Sequence, residues 1–441
     1  MAEFKTGERI PVKQGGEAKI LAKLGEGGQG IVYRVEYQGR QYALKWYFAG
    51  KMKNPKNFYK NIESNIKIGA PSPVFLWPEF ITEEYKGSFG YLMALRPSGY
   101  EEFGSFLLAR THFKSLYAVV NAALSIVNGF RELHRKGLSY QDLNDGNFFI
   151  NPDNGDVLIC DNDNVAPYGV NLGIAGKCRY MAPEVVTNKK VPDKHTDQFS
   201  LAVVLFMMLF LNHPLEGART ANSPCMTEEH ERIFYGTEPI FLFDDSGTNK
   251  PVQGVHRNVI KLWPAYPKFI QDAFKKSFSK EFMTGADSTH RIMENEWQKL
   301  FIKLRDITVA CPYCGRGTFF DTEIPNAKCI ECGKNMPRSF ALKIKGGLID
   351  NTVILYPNSK LYKCHIDSAG DNAYKETVGE VLLSKSTPVK LGLKNLSGNA
   401  WTVELNDGSQ VILESGKTVV LGAGLKFKFN SSVNGEVIMT N

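Results

Sequence analysis

Apolar and polar positions alternate with a period of two through Ile31-Val32-Tyr33-Arg34-Val35-Glu36-Tyr37. Gln41-Tyr42-Ala43-Leu44-Lys45-Trp46-Tyr47-Phe48 is similarly rich in aromatic and aliphatic residues, with a Gln38-Gly39 turn signal before it. Residues 17–48 are therefore predicted as strands joined by tight turns. From 56 to 68 the spacing changes to that of a helix, with Phe58, Ile62 and Ile66 on one face. After a short strand near 89–95 the pattern is mostly helical, through LYAVVNAALSIVNGFRELHRKG and the run after Ser200, interrupted by short strands around 147–161. Strands first and helices later predict an α+β unit, residues 1–304, with a sheet-rich lobe (about 17–96) and a helical lobe (about 97–304). At about 307 the character changes. Residues 307–337 hold two cysteine pairs, and 340–441 carry short alternating strands such as TVILY, VLLSK, WTVEL and QVILE. These last, separated by Gly, Asn and Asp, predict an all-β, sandwich-like domain.

Composition narrows the function classes. A chain of 441 residues with 43% hydrophobic, 22% charged and 12% aromatic residues is globular and long enough for several cores. Its net charge of +7 is spread along the chain without a polybasic block. No specific nucleic-acid or acidic-lipid binding is expected. The start, MAEFKTGERIPVKQGG, lacks an apolar signal core, and the apolar run from Leu201 to Leu211 is too short for a bilayer. No membrane association and a cytoplasmic location are the expectation.

Gly25-Glu26-Gly27-Gly28-Gln29-Gly30-Ile31-Val32 fits G-x-G-x-x-G-x-V between two predicted strands. Glycines there let a backbone approach phosphates that a Cβ would obstruct. A dinucleotide site would need a helix after the glycines, whereas IVYRVEY reads as strand. Lys45 follows on a strand as a phosphate-holding lysine. Glu63, 18 residues later on the predicted helix, is a candidate partner for Lys45 or part of a solvated face.

Tyr140 to Asn147, reading YQDLNDGN, makes the resemblance explicit: the first 300 residues resemble the eukaryotic-type (Hanks-type) protein kinase family. The resemblance implies a two-lobed protein kinase fold that uses ATP with Mg²⁺ or Mn²⁺. It implies Asp142 as the residue accepting the substrate hydroxyl proton, and Asn147 and Asp161 as metal ligands. ATP would lie against Gly25, Glu26, Gly27, Gly28, Gln29, Gly30, Val32, Ala43, Lys45, Met93, Ala94 and Leu95, with Met93 at the back of the adenine pocket and Ala94 to Arg96 as the hinge. Met181-Ala182-Pro183-Glu184 resembles the motif that closes the activation segment. Asp197 resembles the aspartate that anchors the catalytic loop, and Arg291 the arginine that pairs with Glu184.

Several positions depart from the family. The usual His-Arg-Asp is Tyr140-Gln141-Asp142, and neutral Gln141 cannot pair with an activation-segment phosphate as arginine does. No Ser or Thr occurs between Asp161 and Glu184, so switching by Ser/Thr phosphorylation in that segment is not expected. Asn144 stands where serine/threonine kinases usually carry lysine. Asp-Phe-Gly reads Asp161-Asn162-Asp163, which disfavours the family's inward–outward flip and leaves Asp163 as either an extra metal carboxylate or a turn residue. His134 is expected to cap or pack rather than act as a base, and Cys160 and Cys178 to pack.

Residues 234–250, FYGTEPIFLFDDSGTNK, with Trp263, resemble a segment of bacterial kinases associated with tellurite-resistance-type operons. That resemblance implies a von Willebrand A-type domain protein as substrate and a metal-dependent protein phosphatase as a further partner. Cys311-x-x-Cys314-Gly and Cys329-x-x-Cys332-Gly present four thiolates with the spacing of a zinc ribbon, a structural Zn²⁺ site. The last hundred residues have the strand rhythm of forkhead-associated domains without their phosphothreonine-reading residues, and a recruitment role is expected. The leading functional expectation is an ATP-dependent serine/threonine kinase acting on a partner protein and on itself. The alternatives are an ATP-binding pseudokinase scaffold, supported by Tyr140, Gln141, Asn144 and Asn162, and a small-molecule kinase.

Overall fold

The computed structural model describes residues 3–440 except 53, 174–175, 224, 286–288, 323, 325–326, 368–372 and 386. The chain divides into two compact units, residues 1–114, 125–263 and 272–295 in the first and 115–124, 264–271 and 296–441 in the second. This differs from a boundary at 304 followed by two separate small domains. Stretches of helix at 115–124 and 296–306 are built into the second unit. Helical periodicity records which face of a helix is apolar but not what packs at its ends.

The first unit begins with an antiparallel sheet in the order β1 (Arg9–Pro11), β2 (Glu17–Glu26), β3 (Gly30–Tyr37), β4 (Arg40–Tyr47), β6 (Gly90–Ala94), β5 (Pro78–Ile81). Helix α1 (Pro55–Ile68) starts with proline at its first turn, where no N–H is needed, and stops at Gly69 in the left-handed region (φ 71°). The predicted strands at 17–48 and helix at 56–68 are present.

Beyond β7 (Glu101–Glu102) and α2 (Phe103–Leu107), the lobe is helical around α3 (Leu116–Arg135). Short hairpin strands follow: β8 (Leu138–Tyr140), β9 (Phe148–Ile150), β10 (Val157–Ile159) and β11 (Val165–Pro167). β9 pairs with β10 and β8 with β11, so the chain on either side of the catalytic loop is tied to the segment around Asp161. After α4 (Pro183–Val186), α5 (Lys194–Phe210) is buried from Thr196 to Phe210, as expected of a helix apolar on every side. Asp193 and Thr196 close a capping box at its start.

In the second unit Thr308–Ala310 and Gly317–Phe319 form a hairpin beside the cysteine pairs. From Phe340 onward the strands form two antiparallel sheets, of six and four strands. Leu342, Ile344 and Val353 from one and Leu361, Val381 and Leu393 from the other share one apolar core with Trp401. The C-terminal region is all-β, as predicted. No described helix is long and apolar enough to cross a membrane.

Candidate active site

Between the two lobes of the first unit lies a cleft of about 780 Å³, lined by Gly25–Gly30, Val32, Ala43, Lys45, Leu76, Met93–Arg96, Asp142, Asn144, Asn147, Asp161 and Lys177. The glycine loop is the β2–β3 turn, closed by the Gly27 N–H donating to the Gly30 carbonyl at 2.9 Å. A Cβ added at Gly25, Gly27 or Gly28 would meet nothing within 4 Å, so packing does not demand glycine there and the backbone faces open space. Gly30 differs: its Cβ would stand 2.1 Å from the Trp46 carbonyl oxygen. The first three glycines leave room for a ligand, whereas Gly30 serves the close approach of β3 to β4.

Met93 pairs with Ala43 across β4 and β6, which sets both against the back of the cleft, with Ala94, Leu95 and Arg96 continuing along its edge. Leu76, on no predicted element, completes the apolar wall.

On the opposite wall the β8 strand delivers Asp142. The Asn147 amide donates to the Asp142 carbonyl at 2.6 Å, and the Cys160 N–H donates to the Asn147 carbonyl at 2.9 Å. The loop and the strand before Asp161 are thereby held as one piece. Asp161 itself adopts φ 54°, uncommon for a residue with a side chain.

Lys45 is buried and donates to Asp161 Oδ1 at 3.1 Å and to both oxygens of Asp163 at 3.0 and 3.1 Å. Burial alone would lower its pKa, but the two carboxylates override this and hold the ammonium well above its ordinary value.

The expected pairing of Glu63 with Lys45 is not met. Glu63 bonds instead to Lys13 near the surface. The reason is helical geometry: Asn61 and Asn65 of α1 face inward, donating to the Val165 carbonyl at 2.8 and 2.9 Å. Two residues advance a helix by about 200°, so Glu63 points away from that face.

Asp163 is also neither a turn residue on the surface nor a free metal ligand. It is fully buried, and Tyr47 and Tyr91 donate their hydroxyls to it at 2.5 and 3.0 Å. Asn162 fills the place of the family's phenylalanine with its amide donating to the Leu76 and Ile159 carbonyls at 2.8 and 2.9 Å.

A lysine strand under an open glycine loop, facing an aspartate–asparagine loop and a second aspartate, is an arrangement for binding a nucleotide's phosphates beside an acceptor hydroxyl. Residues 18–240 match the protein kinase domain family. The chain belongs to that family. Two crystal structures of the PknI kinase domain of Mycobacterium tuberculosis are similar over 68% of this chain and 98% of theirs, at 16% identity and a TM-score of 0.44. A mutated form of that domain is similar over 49% of this chain and 81% of its own, at 20% identity and a TM-score of 0.38. None of the curated proteins matches the chain in sequence.

A protein kinase domain implies ATP and a divalent cation, and the donors here fit one. Asn147 has its Nδ2 committed to the Asp142 carbonyl, which leaves its Oδ1 as acceptor. Asp161 engages Lys45 through one oxygen, and its side chain is 38% exposed to the cleft. Amide and carboxylate oxygens suit a hard cation.

The kinase's catalytic loop is anchored from below. The Tyr140 N–H donates to Asp197 Oδ2 at 2.7 Å, and His134 bridges Asp197 at 3.1 Å and Glu294 at 2.9 Å. His134 is thus an ion-pair residue rather than a cap. Burial opposes its charge, but the two carboxylates outweigh it and lift its pKa to about 9. Because the folded value lies above the unfolded one, about 6.5, its stabilisation is complete below pH 6.5 and fades as pH rises through 9. Comparing thermal melts of wild type and His134→Gln from pH 6 to 10 should show the gap in Tm narrowing across that window, and a pH-independent gap would refute the ion pair.

Arg291 meets Glu184 in a two-pronged pair at 2.8 and 2.9 Å, fixing the end of the activation segment. Gln141 donates to the Val170 carbonyl and accepts from the Leu172 N–H at 3.1 Å. A neutral amide thus makes main-chain contacts to the segment on both of its sides. Ile174 and Ala175 of the Ser/Thr-free segment lie outside the described residues.

Asn144 donates to the Asp142 carbonyl and to Asp142 Oδ1, both at 3.1 Å, and accepts from the Gly146 N–H. Burial raises the Asp142 pKa, the Asn144 hydrogen bond opposes this, and the Asp161 charge adds to the rise. Removing the Asn144 donor should therefore raise it further. The acid limb of the pH–kcat profile of Asn144→Ala should lie at higher pH than that of wild type, and coincident limbs would show that this contact does not tune Asp142.

Sequence reasoning missed Lys177. It lines the cleft and pairs with Asp145 at 3.1 Å, bringing a cation near Asp142 where Asn144 supplies none. No motif marked it, because its position depends on the course of the activation segment. Cys160 is half-buried, and burial pushes its thiol well above the ordinary range, in keeping with a packing role.

In the second unit the sulfurs of Cys311, Cys314, Cys329 and Cys332 lie within 4.8 Å of one another. Two of the separations, Cys311–Cys332 and Cys314–Cys329, are 3.8 and 3.7 Å. A tetrahedron with Zn–S bonds of about 2.3 Å has sulfurs roughly 3.8 Å apart, so the set fits that ion. Each knuckle closes alike, with the Gly315 and Gly333 N–H groups donating to the Cys311 and Cys329 carbonyls. Both glycines are left-handed, at φ 71° and 70°, which explains the glycine after each pair.

Proposed function

We propose that this protein is an ATP-dependent serine/threonine kinase that transfers the γ-phosphoryl group to a partner protein and to itself, in the cytoplasm. The observation that carries this reading is the convergence of Lys45, Asp142, Asn147 and Asp161 on one cleft beneath the open glycine loop. Phosphoryl transfer needs position and charge rather than covalent work by the protein. Lys45 and the loop backbone hold the phosphates, and the hinge at Ala94 to Arg96 receives the adenine in front of Met93. Asp142 orients the acceptor hydroxyl and takes its proton. Asn147 and Asp161 would hold Mg²⁺ or Mn²⁺, which neutralises charge on the transferring group when bound. The four cysteines hold a structural Zn²⁺.

Activity is not expected to wait for a phosphate on the activation segment. Two features support this: the Gln141 amide already engages Val170 and Leu172, and the segment offers no Ser or Thr. The odd residues that favour a scaffold, Tyr140, Gln141, Asn144 and Asn162, each make specific hydrogen bonds that an active site can use. A von Willebrand A-type substrate and a metal-dependent phosphatase partner are supported by the resemblance of residues 234–250.

The test is transfer of labelled phosphate from ATP by phosphatase-treated protein, with Mg²⁺ or Mn²⁺ and candidate partners present. Equal inertness of wild type and Asp142→Asn under all these conditions would overturn the reading.

A further inference from the structure

We propose that Asp163, at the position where the kinase family carries the glycine of its metal motif, is the positioning residue that holds Lys45 for phosphate binding, and that the acidic residue of helix α1 has no part in this. The inference rests on the kinase reading of the cleft and adds a residue that reading does not use.

Asp163 is saturated. Its two oxygens receive Lys45 at 3.0 and 3.1 Å, Tyr47 at 2.5 Å and Tyr91 at 3.0 Å, four contacts from three donors. A carboxylate offers about four acceptor sites, so none is left for a cation. Asp161 has the opposite balance. It meets Lys45 through Oδ1 alone and is open to the cleft, so it can turn to a metal while Asp163 keeps the lysine. The two aspartates thus divide two tasks, one holding the cation of the protein and the other free for the cation of the nucleotide.

The tyrosines explain how a fully buried carboxylate is tolerated. An ionised group taken out of water is costly unless its hydrogen bonds are replaced, and here both oxygens are served by a cation and a hydroxyl. Burial, then the Asp163 charge, push the Tyr47 and Tyr91 hydroxyls well above their ordinary pKa, which keeps both as donors. Helix α1 packs on this segment through amides instead: Asn61 and Asn65 donate to the Val165 carbonyl, and Glu63 is paired with Lys13. The lysine's fixed partner therefore travels with the Asp161 segment, and completing the site requires no movement of an acid on α1.

The test separates the nucleotide from its cation. Asp163→Asn should lower kcat/KM for ATP by about 10- to 100-fold, mainly through KM, and Glu63→Gln should stay within two-fold of wild type. The Mg²⁺ concentration for half-maximal transfer should stay within two-fold in Asp163→Asn, because Asp161 keeps the cation. Mere loss of structure would move both readouts. An unchanged KM for ATP, or a displaced Mg²⁺ requirement, in folded Asp163→Asn would overturn the proposal. Glu63→Gln supplies an arm independent of whether Asp163→Asn folds: a ten-fold loss of transfer there would overturn it, and neutrality supports it. If wild type transfers no phosphate, the kinase reading fails, and the affinities of the two variants for ATP, measured by calorimetry against wild type, decide the role of Asp163.

Discussion

Asp142→Asn should lower phosphate transfer by roughly 10²- to 10⁴-fold, the usual contribution of a positioned acid–base group. Asparagine matches aspartate in shape but cannot take the proton of an acceptor hydroxyl. The surroundings favour a functional fold in this variant. The Asp142 main-chain carbonyl, which accepts from Asn144 and Asn147, is unchanged, and the loop's anchor to Asp197 runs through Tyr140. ATP binding should persist, since the glycine loop, Lys45 and hinge lie on the other wall of the cleft. The expected result is a folded protein with an intact nucleotide-induced rise in Tm and almost no transfer. A variant keeping more than a tenth of wild-type rate would remove Asp142 from the chemistry.

Removing the metal from the four-cysteine module should unfold it. Among its described residues, the stretch from Thr308 to Met336 has one short hairpin and a handful of buried apolar side chains, such as Val309, Phe319 and Phe320, so a bound ion is expected to supply much of its order. Structural zinc sites gain about 10–16 kcal/mol from the ion, more than such a stretch obtains by burial. We expect one zinc per chain, released by a strong chelator with a fall in Tm, and less than stoichiometric zinc in Cys311→Ser. The Cys314→Ser variant should behave alike, because the four sulfurs act as one set. A chain that binds no zinc, or melts identically with and without chelator, would argue against a structural ion.

Much of the site could be read from residues alone where chemistry depends on local spacing. The glycine loop, the Asp142–Asn147 interval and the two knuckles each place their groups within a few residues, and local geometry carries them together. The Glu184–Arg291 pair was legible only through the family resemblance, since 107 positions separate its members. Lys177 and Leu76 were not legible, because nothing near them in the chain records the cleft they face. The two compact units were not legible for a related reason, as residues 115–124 and 264–271 belong to the second by packing that no linker composition announces.

The Lys45 site shows the division most clearly. By itself the sequence determined a strand-borne lysine, a helix carrying Glu63 and a segment carrying two aspartates, because periodicity and motif spacing are local properties. It could not decide which acid meets the lysine: Glu63 is 18 residues away and Asp163 is 118. The tertiary structure decided it. Helix α1 turns its amide face to the Asp161 segment and leaves Glu63 to Lys13 near water. A buried ammonium requires a carboxylate that is itself fully hydrogen-bonded. Tyr47 and Tyr91, brought in from two neighbouring strands of the sheet, meet that requirement only at Asp163.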